Sequence, residues 1–182
     1  MRTPEDIFDE LLVMRCQDGD RESLTELVHR WQPRLLCHAM RFTREHEAAA
    51  DVVQEAWLAI VRGIRNLDDP ACFPPWAYRI VTNKCADWIR GRRRERASTV
   101  PLAAEPAARQ SPAENAQEDV SDVREAIKQL PPDQRAILSL CYIEELSIRN
   151  IAEALSLPAG TVKSRLHYAR SRVKEAIERR NQ

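Results

Sequence analysis

Between Ile148 and Val173 the chain reads IRNIAEALSLPAGTVKSRLHYARSRV, and few folds accommodate that order of residues. Ile151, Ala152 and Leu155 share one face at helical spacing, Leu157 lies in a turn, and Val162 and Leu166 stand four apart on a second helix. Small Ala152 lets two helices approach closely, while Leu157 and Val162 fill the angle between them. The pattern is a helix-turn-helix, whose second helix enters the DNA major groove. An ordinary helical hairpin inside a core is the plainer alternative. Buried hairpins, however, rarely leave Lys163, Ser164, Arg165, His167, Tyr168 and Arg170 unabsorbed.

The rest of the 182-residue chain supports the same class of fold. Glycine is scarce (4 residues), aromatics make up 5%, and the β-branched runs alternate too poorly for strands. We therefore expect an all-α protein. Acids and bases balance at 28 each, which argues against a histone-like DNA coat. The charge is nevertheless segregated. Arg79, Lys84, Arg90, Arg92, Arg93, Arg94 and Arg96 face only Asp87 and Glu95 in their stretch, and a second basic block runs from Lys163 to Arg180. Acids gather near the N-terminus and between Glu105 and Glu125.

The five cysteines (Cys16, Cys37, Cys72, Cys85, Cys141) form no C-x-x-C pair, and the four histidines stand at no ligand spacing to them. No metal, no cofactor and no catalytic residue is expected. Phosphate loops, H-E-x-x-H and G-x-S-x-G are missing, which speaks against an enzyme. With no signal peptide and no apolar run of bilayer length, a cytoplasmic protein with reduced thiols is the expectation.

Three units follow along the chain. Residues 1–96 read as helices, opening at Thr3-Pro4-Glu5-Asp6 with a threonine cap and acids at the positive dipole end. The second helix, Arg21 to about Phe42, contains Pro33, expected to kink or split it. In the third, Glu45 to about Ile64, the residues Val52, Val53, Ala56, Trp57, Ile60, Val61 and Ile64 make an apolar face. Asp51, Gln54, Glu55, Leu58 and Arg62 lie on another, an acidic surface with an apolar centre that could equally be a solvated helix side. After a loop, Asn66 to Pro74, a helix from Pro75 to about Arg94 turns Trp76, Arg79, Asn83, Asp87, Arg90 and Arg94 to one side. An exposed tryptophan beside a row of arginines suits single-stranded nucleic acid; a basic solvated face with Trp76 tucked inward is the alternative. Residues 97–117 turn to Ala, Pro, Ser, Glu and Gln, the composition of a flexible linker. Residues 118–182 form a second helical domain containing the helix-turn-helix.

Three stretches in this order resemble the extracytoplasmic-function class of bacterial RNA polymerase sigma factors. Asp51-Val52-Val53-Gln54-Glu55-Ala56-Trp57 is similar to the family's polymerase-docking motif. Phe73 to Asn83, with Asp87 and the Arg90–Arg94 run, resembles the helix that engages the promoter's −10 element. Leu130-Pro131-Pro132-Asp133-Gln134-Arg135, Ile151 to Leu155 and Gly160 to Leu166 resemble the domain that reads the −35 element.

The resemblance implies a sigma factor that binds the clamp and flap regions of core RNA polymerase and directs promoter recognition, −10 melting and initiation. It implies docking through Asp51, Gln54, Glu55 and Leu58, and −10 binding through Trp76, Arg79, Asn83, Arg90, Arg92, Arg93 and Arg94. Asn83 takes the base-reading position, and the loop Asn66 to Pro74 the place of a flipped-base pocket. In the last domain Thr161, Lys163 and Arg165 would hold phosphates, and Ser164, His167 and Tyr168 would meet base edges. Partners are then double- and single-stranded promoter DNA and, as for many members, an anti-sigma factor. Tyr168 departs from the arginine that members often carry, and it cannot read guanine bidentately.

A relaxed linker of about 20 residues spans ~25 Å and a stretched one ~70 Å. Two sites one to two helical turns apart on DNA are ~34–70 Å away from each other. The linker reaches both without setting their spacing, so core polymerase is expected to hold the domains apart. A conventional helix-turn-helix repressor is the competing class; it requires dimerisation and leaves the two N-terminal motifs unexplained.

Overall fold

The computed structural model describes residues 3–98 and 118–180. Among them the chain is helical throughout: α1 (Pro4–Gln17), α2 (Arg21–Thr43), α3 (His46–Gly63), α4 (Phe73–Ser98), α5 (Glu118–Lys128), α6 (Pro132–Tyr142), α7 (Ile148–Ala154) and α8 (Ala159–Arg180). The expected linker lies almost wholly outside the described residues, since α4 continues through Ser98 and description resumes at Glu118.

Local chemistry accounts for the starts and stops. Thr3 and Asp6 form a reciprocal capping box, at 2.8 Å and 3.2 Å, that satisfies two otherwise orphan amides of α1. Asp20 caps α2 by accepting from the Glu22 amide at 2.9 Å, and Arg44 ends that helix in the left-handed region at φ 60°. Pro33 does not split α2. It sits on the exposed side with His29, whose carbonyl lacks the usual donor, so water can serve that group. The loop expected from Asn66 to Pro74 contains a short 3-10 turn at Pro70–Cys72 that runs straight into α4. Pro74 and Pro75 fit the first turn of α4, where no amide donor is needed.

α1, α2, α3 and the first half of α4 enclose an aromatic centre. Trp31 meets Phe73 edge-on at 5.2 Å and Tyr78 at 5.9 Å, and Tyr78 meets His38 at 5.0 Å. Asp9 is buried and served by Arg30 at 2.7 Å and by the Trp31 indole at 3.1 Å, which pins α1 to α2. The Gln17 amide donates to the Ile64 and Leu67 carbonyls at 3.0 Å and 2.7 Å, closing the end of α1 onto the turn after α3. The thiols of Cys16 and Cys85 are buried, and burial pushes them up to about 11 and about 12, so both pack as small apolar groups. Cys37 is exposed.

In the C-terminal helices, Ala136, Ile137, Leu140, Ile151, Ala154, Val162, Leu166 and Ala169 form the centre. Ser147 caps α7 through the Asn150 amide at 3.1 Å. On α7 the fully enclosed small residue is Ala154, whereas Ala152 is half-buried. This unit also touches the first one directly, α6 against α2 and α7 against α4.

Candidate polymerase and nucleic-acid interfaces

α3 is divided cleanly. Val52, Val53, Ala56, Trp57 and Ile60 are buried against α2 and α4, while Asp51, Gln54, Glu55, Leu58 and Arg62 stand outside. Leu58 is 55% exposed, and Val61 does not turn inward as its spacing suggests but is 44% exposed. Val61 stands three residues from Leu58 on the same side, so the acidic surface has a two-residue apolar centre. Nearby, the Gln32 side-chain oxygen Oε1 accepts from the Trp57 indole, and Gln32 borders a shallow groove with Leu24, Val28 and Pro33. Glu55 of this face is tied to the neighbouring helix: Lys84 of α4 donates to it at 3.0 Å.

On α4, Arg79, Asn83, Arg90, Arg93 and Arg94 are exposed. Trp76 differs from the freely exposed stacking platform drawn from the sequence. It is half-buried beside Phe73, and its ring edge lies so near Gly63 that a methyl group there would stand 2.9 Å from it. Gly63 is thus the slot into which Trp76 fits. Acids moderate the cations of this helix: Arg90 pairs with Asp87, and Arg92 pairs with Glu45 of the α3 cap at 2.7 Å while lying over the Trp88 ring at 5.0 Å.

On α8, the second helix of the helix-turn-helix, Val162, Leu166 and Ala169 face the core, and Lys163, Ser164, His167 and Tyr168 face out. Ser164 also donates back to the Thr161 carbonyl at 3.0 Å. The His167 and Tyr168 rings meet edge-on at 5.9 Å, and Tyr168 is 62% exposed. Thr161 and Arg165 are half-buried, Arg165 held by Asp133 of α6 at 3.1 Å. Gly160, at the helix start, was missed as a site residue. A Cβ there would meet nothing within 4 Å, so internal packing does not require glycine; an exposed glycine at the start of the second helix of a helix-turn-helix is the signal that marks it.

Among the described residues no group of three His, Cys, Asp or Glu is placed to hold a metal ion, and no helix is long and apolar enough to cross a membrane. Among the described residues the fold is all-helical, a helix-turn-helix unit packed against an N-terminal helical unit, and the pattern is that of a DNA-binding protein. Residues 27–95 match the family pattern of Sigma-70 region 2, and residues 121–173 that of Sigma-70, region 4.

The chain is 33% identical to the RNA polymerase sigma-H factor of Pseudomonas aeruginosa over 93% of this chain and 94% of that one. It is 30% identical to the ECF RNA polymerase sigma-E factor of Escherichia coli over 96% of each. Among solved structures it resembles Bartonella quintana RpoE in complex with the anti-sigma factor NepR, at TM-score 0.71 and 23% identity, over 86% of this chain and 98% of that one. It also resembles CnrH in complex with the cytosolic domain of CnrY, at TM-score 0.65 and 23% identity, over 94% of this chain and 97% of that one. The chain belongs to the extracytoplasmic-function RNA polymerase sigma factors of the sigma-70 family. It directs promoter recognition and transcription initiation.

Proposed function

We propose that this sigma factor divides its contacts among three faces. Asp51, Gln54, Glu55 and Leu58, joined by Val61, dock on the clamp of core polymerase, an acidic rim around an apolar centre meeting a basic partner surface. Asn83 reads an unstacked −10 base through its amide, while Arg79, Arg90, Arg92, Arg93 and Arg94 hold the backbone and Trp76 offers its open edge. Lys163 and Thr161 hold −35 phosphates, with Gly160 leaving room for close approach at the helix N-terminus. Ser164, His167 and Tyr168 meet base edges, and Arg165 reaches phosphate from its anchorage on Asp133.

Residues 1–96 and 118–182 act as the two DNA-gripping domains, and the second also contacts the flap. The protein works in the cytoplasm, catalyses no reaction and, like the RpoE and CnrH of the solved complexes, takes a protein partner, here an anti-sigma factor.

The observation that carries the docking face is the division of α3: one side fully enclosed, the other wholly outward and holding an exposed leucine among acids. Gln54→Ala with Glu55→Ala tests it, because both side chains are outside the core. The double variant is expected to keep its thermal unfolding midpoint and lose core-polymerase affinity. Unchanged holoenzyme assembly would remove this face from the docking surface. Run-off transcription on a randomised promoter library then reads both DNA elements at once.

A further inference from the structure

The turn between α6 and α7 delivers a carboxylate into the other domain. Glu144, two residues past the end of α6, leaves its side chain only 6% exposed, while its neighbours Tyr142 and Ile143 are 59% and 68% exposed. Backbone geometry supports this orientation. The Glu144 amide donates to the Ser139 carbonyl at 3.1 Å, and Glu145 takes the left-handed region at φ 52°, reversing the chain into α7.

The receptor for Glu144 lies on α2 and α4. Arg34 donates through Nε at 2.8 Å and approaches through Nη2 at 2.7 Å, its guanidinium lying 4.1 Å from the Trp31 ring centroid. The Tyr78 hydroxyl is buried there without a well-aligned hydrogen bond; burial and then the Glu144 charge raise its phenol above the usual range, so it stays protonated.

The rest of the seam is cationic. Arg135 of α6 donates through Nη2 to the Arg41 carbonyl at 2.7 Å, and its buried Nε has no partner. Burial first, and then repulsion from Arg44 and Arg41, lowers the Arg135 guanidinium. Arg34, Arg41, Arg44 and Arg135 therefore converge on a seam into which Glu144 brings the compensating charge. Removing that carboxylate leaves the arginines without their enclosed counter-charge and weakens the seam strongly.

We propose that Glu144 is a latch that holds the free sigma factor closed, in a form unable to span a promoter. In the closed form α7 and α4 approach within 8 Å, and α8 packs on α7. Two helix-packing steps of 8–10 Å hold the recognition helix within about 20 Å of the −10 helix, short of the ~34 Å that separates sites even one helical turn apart. Opening withdraws Glu144 from Arg34 into water and lets the arginines separate. Both charges are hydrated once apart, so the latch is reversible, and core polymerase opens it by holding the domains at promoter spacing.

The test uses the full chain. Glu144→Gln keeps the shape and removes the charge, so small-angle X-ray scattering should show a larger radius of gyration than the wild type. Association with core polymerase should quicken about tenfold, as expected when the competent form no longer has to be reached from a closed one. Arg34→Glu combined with Glu144→Arg should restore the compact scattering and the slow association. Equal unfolding midpoints separate opening from misfolding, and if Glu144→Gln alone lowers the midpoint, the charge-swapped pair decides. A wild type already as extended as Glu144→Gln, equal association rates, or a swap that fails to restore compaction would overturn the latch.

Discussion

Leu58 tests whether the outward face of α3 is an interface or a solvated helix side. Full burial of a leucine side chain stabilises by about 1.5–3 kcal/mol. In the free chain 55% of Leu58 is open to water, so docking has about half of that quantity to recover. Leu58→Ala, which keeps the Cβ, should therefore cost about 1 kcal/mol of docking free energy, a five- to tenfold rise in Kd for core polymerase. The fold should be indifferent. Leu58 lies outside the buried set, and alanine is at least as good a helix former, so the unfolding free energy should move by no more than ~0.5 kcal/mol. The assay is fluorescence anisotropy of labelled sigma factor titrated with core enzyme, beside a denaturant melt of each variant. A Kd within twofold of the wild type, at unchanged stability, would refute the apolar-centre reasoning and leave only the acidic rim.

Asn83→Ala removes an exposed amide donor and acceptor without touching the core, so it should change which −10 bases are preferred in run-off transcription from a promoter library; an identical profile would take Asn83 off the DNA face. His38 predicts a pH dependence. Thr82 Oγ1 donates to the Tyr78 carbonyl at 2.8 Å and so accepts from His38 Nε2 at 3.0 Å, which puts a proton on Nε2, while the buried Nδ1 has no partner to support a second proton. Burial, then Arg41, lowers its pKa from 6.5 to about 3. The folded value is the lower one, so the unfolded chain binds the proton first: stability is full above pH 6.5 and falls as pH drops towards 3, by roughly 2 kcal/mol between pH 6.5 and 5. His38→Gln should flatten that slope in urea titrations at each pH, and a slope identical to the wild type would show that other groups set it.

Features governed by neighbours within one helical turn were legible in the sequence. The caps at Thr3, Asp20 and Ser147 depend on hydrogen bonds spanning two or three residues, and the pattern of residue types states them directly. Helical periodicity likewise identified the enclosed faces of α3 and α8. It failed at the edges of faces, where the partner's shape decides. Val61 falls just past the rim that α2 and α4 cover, and Trp76 swings inward because Gly63, thirteen positions earlier, leaves a slot for its ring. Long-range ion pairs left no trace at all. Lys84 with Glu55 and Arg92 with Glu45 join residues 29 and 47 apart, and Glu144 in a polar turn reads like any solvated acid until α2 is placed beneath it.

The even net charge, which argued against a DNA coat, acquires a physical sense from where the acids go. Three cations of α4 are already partnered: Lys84 with Glu55, Arg90 with Asp87, Arg92 with Glu45. In each pair at least one side chain is more than half exposed, and exposed pairs contribute only about 0–1 kcal/mol. Phosphates, which bring closely spaced charges and release counterions on binding, displace such carboxylates readily. In the free protein these pairs lower the positive charge of the α4 face, while Arg79 and Arg93 still stand exposed on it. Arg34 with Glu144 is of the other kind: its carboxylate is enclosed, so water cannot take Arg34's place on Glu144 until the domains part. Exposed pairs let one helix exchange protein acids for phosphates, and the enclosed pair sets the arrangement in which that exchange begins.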